Sequence, residues 1–97
     1  PEGACDLLEA ALQRNRAEPV LWQCLGLARR TRLESASALE ALHEAARLAP
    51  QDGKIAHALA HVSWEAGVPA VALFERALAL RPDDPSVKIG RAAALFA

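Results

Sequence analysis

A chain of 97 residues bounds the answer to one domain or a piece of a larger one. Its 11 Lys and Arg nearly balance its 12 Asp and Glu, and no basic stripe or acidic tail argues for a nucleic-acid partner. No run approaches the roughly 18 apolar residues that a membrane span requires, so none is expected.

The apolar half of the composition is mostly Ala and Leu, with few strand-forming residues, which predicts an all-α fold. Cys5 and Cys24 lie on separate expected helices and make neither a disulfide framework nor a metal knuckle. They read as small apolar helix residues, and a reducing, cytoplasmic setting is favoured. The chain begins at Pro1, contains no Met and shows no signal peptide. It reads as a segment of a longer protein.

In chain order, the first helix is expected over 3–14, with Ala4, Leu8 and Ala11 on one face. A second spans 19–31 and carries Trp22, Leu25 and Gly26. A third spans 36–48, with Ala38, Leu42, Ala45 and Leu48 at steps of three and four. Ser37 and Glu40 have capping-box spacing there, with Ser35 competing for the cap. Pro50 stops this helix, and Asp52 caps the next, over 53–66, whose stripe is Ala56, Leu59 and Ala60. Gly67 suits a left-handed helix end, and Pro69 the first turn of a helix over 69–80. Asp84-Pro85 opens a last helix over 85–97. Connections this short make sequential helices antiparallel.

The pattern repeats. Ala38, Leu42, Ala45, Leu48 and Pro50 return 32 residues later as Ala70, Phe74, Ala77, Leu80 and Pro82. Trp22, Leu25 and Gly26 return 34 residues later as Ala56, Leu59 and Ala60. The unit is therefore 34 residues long, and two residues are missing near Gly67-Val68-Pro69, where a loop tolerates the loss.

Trp22-x2-Leu25-Gly26, then Ala38-x3-Leu42-x2-Ala45, then Pro50, resembles the tetratricopeptide repeat signature at that family's spacing. The second unit departs from it with Ala56 in place of the tryptophan and Ser63 in place of a large aromatic; Arg16 stands where the first half-unit would have proline. The last helix fits with a one-residue slip that puts Ile89, Ala92, Ala93 and Phe96 on its packing face. The resemblance covers essentially the whole chain. It implies one repeat domain over 1–97: the second helix of a unit over 1–18, full units over 19–52 and 53–84, and the first helix of a further unit over 85–97. It also implies a right-handed α-solenoid of antiparallel helix pairs whose concave face typically binds peptides or proteins and is rarely catalytic; no cofactor is expected. The basic clamp by which some members hold a C-terminal carboxylate is not supported, since Gln23 and Leu27 occupy two of its sites.

His57, His61 and Glu65 stand four apart, a spacing compatible with half of a zinc site, but no HExxH motif is present and His43 lies on another helix. No metal is assigned, and a solvated groove face accounts for these residues. The serines suit caps and packing positions, and no glycine-rich phosphate loop exists. Arg29, Arg30 and Arg32 complement a helix C-terminus or contact an acidic partner. Trp22 belongs to the packing stripe, whereas Trp64 falls off it beside His57 and His61, as a binding anchor would.

The expected function is a protein- or peptide-binding scaffold without enzymatic activity, with Gln23, Leu27, Arg30, Lys54, His57, His61 and Trp64 on the binding face. That face suits an extended peptide with an apolar side chain and some negative charge, and its histidines make binding pH-sensitive. Two readings compete: a regulatory or oligomerising arm of a larger enzyme such as a transferase, and a metal-binding module. Leu95 and Phe96 close the chain without a polar cap, so weak homo-oligomerisation is expected as well.

Overall fold

The computed structural model describes residues 4–96. Among them run six α-helices and no strand: α1 Ala4–Arg14, α2 Pro19–Thr31, α3 Ser35–Leu48, α4 Gly53–Glu65, α5 Val71–Leu80 and α6 Pro85–Leu95. The expected ends at residues 3 and 97 lie outside the described residues. None of these helices is long and apolar enough to cross a membrane.

The even-numbered helices open alike. Glu18, Asp52 and Asp84 are their N-caps, each in extended conformation. Each carboxylate accepts from the backbone N–H two residues on: Val20 at 3.4 Å, Lys54 at 2.9 Å and Ser86 at 2.9 Å. Asp52 and Asp84 are the caps expected from the sequence; Glu18 is not among those expectations. The odd-numbered α3 and α5 open without such help. Glu34 and Ala70 are their N-caps and make no side-chain cap bond. The expected capping box is absent, because Ser35 and Ser37 both lie inside α3. Pro69 likewise precedes α5 instead of opening it.

The helix ends repeat too. Ala49 and Arg81 close α3 and α5 with nearly the same dihedrals, φ −134 ψ 70 and φ −136 ψ 67. Each precedes a proline, which disfavours helical conformation there. After α2 and α4 the chain turns through left-handed residues, Leu33 at φ 62 and Gly67 at φ 77. Both turns close on the same paired bonds. Glu34 N–H donates to Arg29 O at 3.0 Å and Leu33 N–H to Arg30 O at 2.9 Å. Val68 N–H donates to Ser63 O at 2.9 Å and Gly67 N–H to Trp64 O at 3.1 Å.

Three apolar clusters form the core. Cys5, Leu12, Leu25 and Ala41 join the first three helices, with Trp22 half-buried against them. Ala38, Leu42, Leu59 and Val62 join α3 to α4. Ala60, Ala70 and Phe74 join α4 to α5, with Ala94 of α6 alongside. The stripes of α3 and α5 are buried as expected, with Ala38, Leu42, Ala45, Phe74 and Ala77 at zero exposure. The alternation of small and large residues allows this close approach. A methyl group at Gly26 would sit 2.7 Å from Leu42 Cγ and 3.1 Å from the Ala38 carbonyl oxygen. Each helix packs on the next in sequence, and α4 also meets α2 on one side and α6 on the other.

One expectation fails on packing. α6 takes no slip: Val87 is fully buried in the place of Ile55, while Ile89, Ala92 and Phe96 are exposed and Ala93 is partly so. A β-branched residue three positions into the helix, after Asp84 and Pro85, sets that register. Cys24 is exposed. Ser63 is buried, and its hydroxyl finds no hydrogen-bond partner among the described residues.

Candidate partner-binding groove

α4 and α6 run in the same direction. Gly53 at the start of α4 lies against the Arg81 side chain, which also pairs with Asp84, the cap of α6, at 2.9 Å. Both helices then pass Phe74: the His57 ring centroid is 6.4 Å from the Phe74 ring, and any side chain at Gly90 would overlap that ring.

Between these two helices lies an open groove of about 580 Å³. The α4 wall supplies Lys54, His57, Ala58, His61 and Trp64. The α6 wall supplies Ser86, Ile89, Gly90 and Ala93, and Arg81 stands at the end where both helices begin. Four of the seven residues predicted from sequence therefore meet in one groove. Their spacing explains it, since Lys54, His57, His61 and Trp64 are three or four apart, and the opposite face of α4 is held by Ile55, Leu59 and Val62. Trp64 keeps 39% of its surface exposed, and its ring lies 6.2 Å from that of His61. Ile89, 69% exposed, forms the facing apolar wall. Sequence reading missed Ile89 as a groove residue because it placed Ile89 on the packing face.

The other three predicted residues lie elsewhere. Gln23 and Leu27 are on α2, outside the groove. Arg30 is engaged: it grips both oxygens of Glu65, at 2.6 and 2.7 Å, and approaches His61 at 3.5 Å. His61 is also 3.1 Å from Glu65. This cluster ties α2 to α4 and holds the Glu65 carboxyl below its ordinary value. The short arginine run is dispersed in the same way. Arg29 pairs with Glu9 at 2.9 Å and Arg32 with Glu34 at 3.6 Å, so these cations face three different carboxylates.

Charge in the groove is lopsided. Its lining has two cations, two histidines and no carboxylate. Burial lowers the His57 pKa; Asp84 opposes that, while His61 and Arg81 add to it. Among the described residues no three His, Cys, Asp or Glu side chains gather as a metal-ligating group. The arrangement offers an aromatic plate, an aliphatic wall and positive charge at one end. No protein-family model matches this chain, and a search of curated proteins finds no match either.

Proposed function

We propose that the chain is a stretch of tetratricopeptide-like α-solenoid, built of antiparallel helix pairs, that binds a peptide segment of a partner protein. The recurrence of capping acid, left-handed turn and pre-proline helix end in successive units supports the repeat reading. So does the way α4 meets both α2 and α6, as the inner helices of such an array do. The binding reading rests on one observation above all. Trp64 stays 39% exposed inside a groove that already holds His57, His61, Lys54 and Ile89. Tryptophan is among the residues most enriched as anchors of recognition surfaces.

The test is selection of a displayed peptide library on the protein, followed by counter-selection on Trp64→Ala. Peptides retained by the parent and lost by the variant, with the variant still folded, support the reading. Selection that yields no peptide sensitive to position 64 rejects it.

A second reading has its own observation. Phe96 is 91% exposed and Leu95 52% exposed, which favours an oligomerising arm. Light scattering that shows a strict monomer at millimolar concentration would remove it.

A further inference from the structure

We propose that the groove works as a ruler. It selects an extended peptide in which an acidic side chain and a large apolar side chain stand about four to five residues apart. The proposal rests on the peptide-binding reading above and adds the partner's chemistry and spacing.

The positive charge that remains available comes from one residue. Arg81 is neutralised by Asp84 at 2.9 Å, and Arg30, just outside the groove, by Glu65 at 2.6 Å. The Lys54 ammonium lines the groove, is exposed, and has no ion-pair or hydrogen-bond partner among the described residues. It also sits in the first turn of α4, where the helix dipole disfavours a cation. The nearest capping carboxylate, Asp52, is turned to the backbone N–H groups of Lys54 and Ile55. A groove lined by cations and no carboxylate complements an acid, and Lys54 is where that acid gains most.

The apolar end is fixed by Trp64, ten residues further along the same helix. At 1.5 Å per residue the two anchors stand about 15 Å apart along α4. An extended chain advances about 3.3 Å per residue, so it covers that distance in four to five residues.

The occupant is extended because α4 and α6 pack directly on each other. A helix, about 10 Å across, cannot descend between them, whereas single side chains can enter over the small floor of Ala58 and Gly90. The acid is a side chain because the Lys54 end is not closed. A second concavity of about 550 Å³, lined by Arg81, Pro82, Asp83, Asp84 and Pro85, shares Arg81 with the groove at that end and leaves room for a peptide to continue.

The test uses fluorescein-labelled, acetylated and amidated peptides on a Gly/Ser/Gln background, each with one Glu and one Phe separated by one to ten residues. Fluorescence anisotropy reads their affinities for the full chain. The expected optimum is at four or five, about fivefold tighter than at one or nine, as befits one exposed ion pair. In Lys54→Gln the optimum disappears, and peptides with and without Glu bind alike; Lys88→Gln, on α6 outside the groove, keeps it. A flat profile, or an optimum at ten that marks a helical occupant, overturns the ruler. If binding in that case is still lost in Trp64→Ala, the peptide-binding reading stands. No binding by any peptide at millimolar concentration overturns both.

Discussion

In the pair α2–α3 the chain turns on Leu33, at φ 62, and in α4–α5 on Gly67, at φ 77. The two pairs also differ at equivalent packing positions, among them Gly26 against Ala60 and Leu42 against Phe74, and in helix length, with an α3 of 14 residues against an α5 of 10. The backbone plan survives all of these changes. What the pairs share is the placement of small and large residues across the contact, so a larger residue on one helix is met by a smaller one on its neighbour. The two-residue loss also makes sense in this light. From the left-handed residue to the first stripe alanine is five steps in one pair, Leu33 to Ala38, and three in the other, Gly67 to Ala70. The loss removes the opening turn of the helix and leaves the stripe intact. Ala70 thus serves as both N-cap and core residue, and its buried methyl gives no cap bond.

The strongest way to break this equivalence is to empty the large position in each pair. Phe74→Ala should cost about 3–5 kcal/mol and Leu42→Ala about 2–5 kcal/mol in denaturant unfolding, since both side chains are fully buried. A small loss at either one would show that the pairs are not built alike. The small position comes next. Gly26→Ala should destabilise by about 1–3 kcal/mol, because Leu42 Cγ and the Ala38 carbonyl leave no room for the methyl. Ala60→Gly should cost about 1 kcal/mol through backbone entropy and lost packing.

Smaller effects are expected at the buried hydroxyl and at the turns. Ser63→Ala should gain about 1 kcal/mol, since the buried hydroxyl is unpaired. At the turns, Leu33→Gly should gain somewhat less than 1 kcal/mol and Gly67→Ala should lose about 1 kcal/mol, the two signs opposing each other at equivalent sites. The smallest effect is in pH. Burial depresses the His57 pKa from its ordinary value of 6.5, so the folded chain binds fewer protons there than the unfolded one. Its contribution is complete above 6.5 and declines as pH falls toward the lower folded value. His57→Gln should flatten melting temperature against pH across that interval.

Much of this was legible in the sequence, because helical periodicity and proline placement are local signals. The stripes of α3 and α5, the turn at Gly67 and the caps Asp52 and Asp84 are read from spacing alone. Glu18 was missed because glutamate is a weaker cap signal than aspartate, and Leu33 because leucine carries no left-handed preference. The slip assigned to α6 failed because Ala-rich segments offer two stripes of similar quality, and only burial of Val87 chooses between them. In the groove, the α4 wall follows from periodicity. Ile89 and Arg81 belong to it through tertiary placement, and the loss of Arg30 to Glu65 depends on a side chain 35 residues away.

The two tryptophans separate a binding anchor from a core residue. Trp22 is half-buried on the first cluster, and its indole N–H donates to the Arg16 carbonyl at 2.8 Å. Trp64 stands in the groove with no such bond among the described residues. Thermal melting and peptide anisotropy should be measured together on Trp22→Ala and Trp64→Ala, with a peptide carrying Glu and Phe at the preferred spacing. Trp22→Ala is predicted to melt several degrees lower and, below its melting point, to keep the parent affinity. Trp64→Ala is predicted to melt within a few degrees of the parent and to lose binding by at least about tenfold, as an anchor residue does. A Trp64→Ala protein that unfolds as readily as Trp22→Ala, or that binds the peptide as the parent does, would contradict the assignment of this groove.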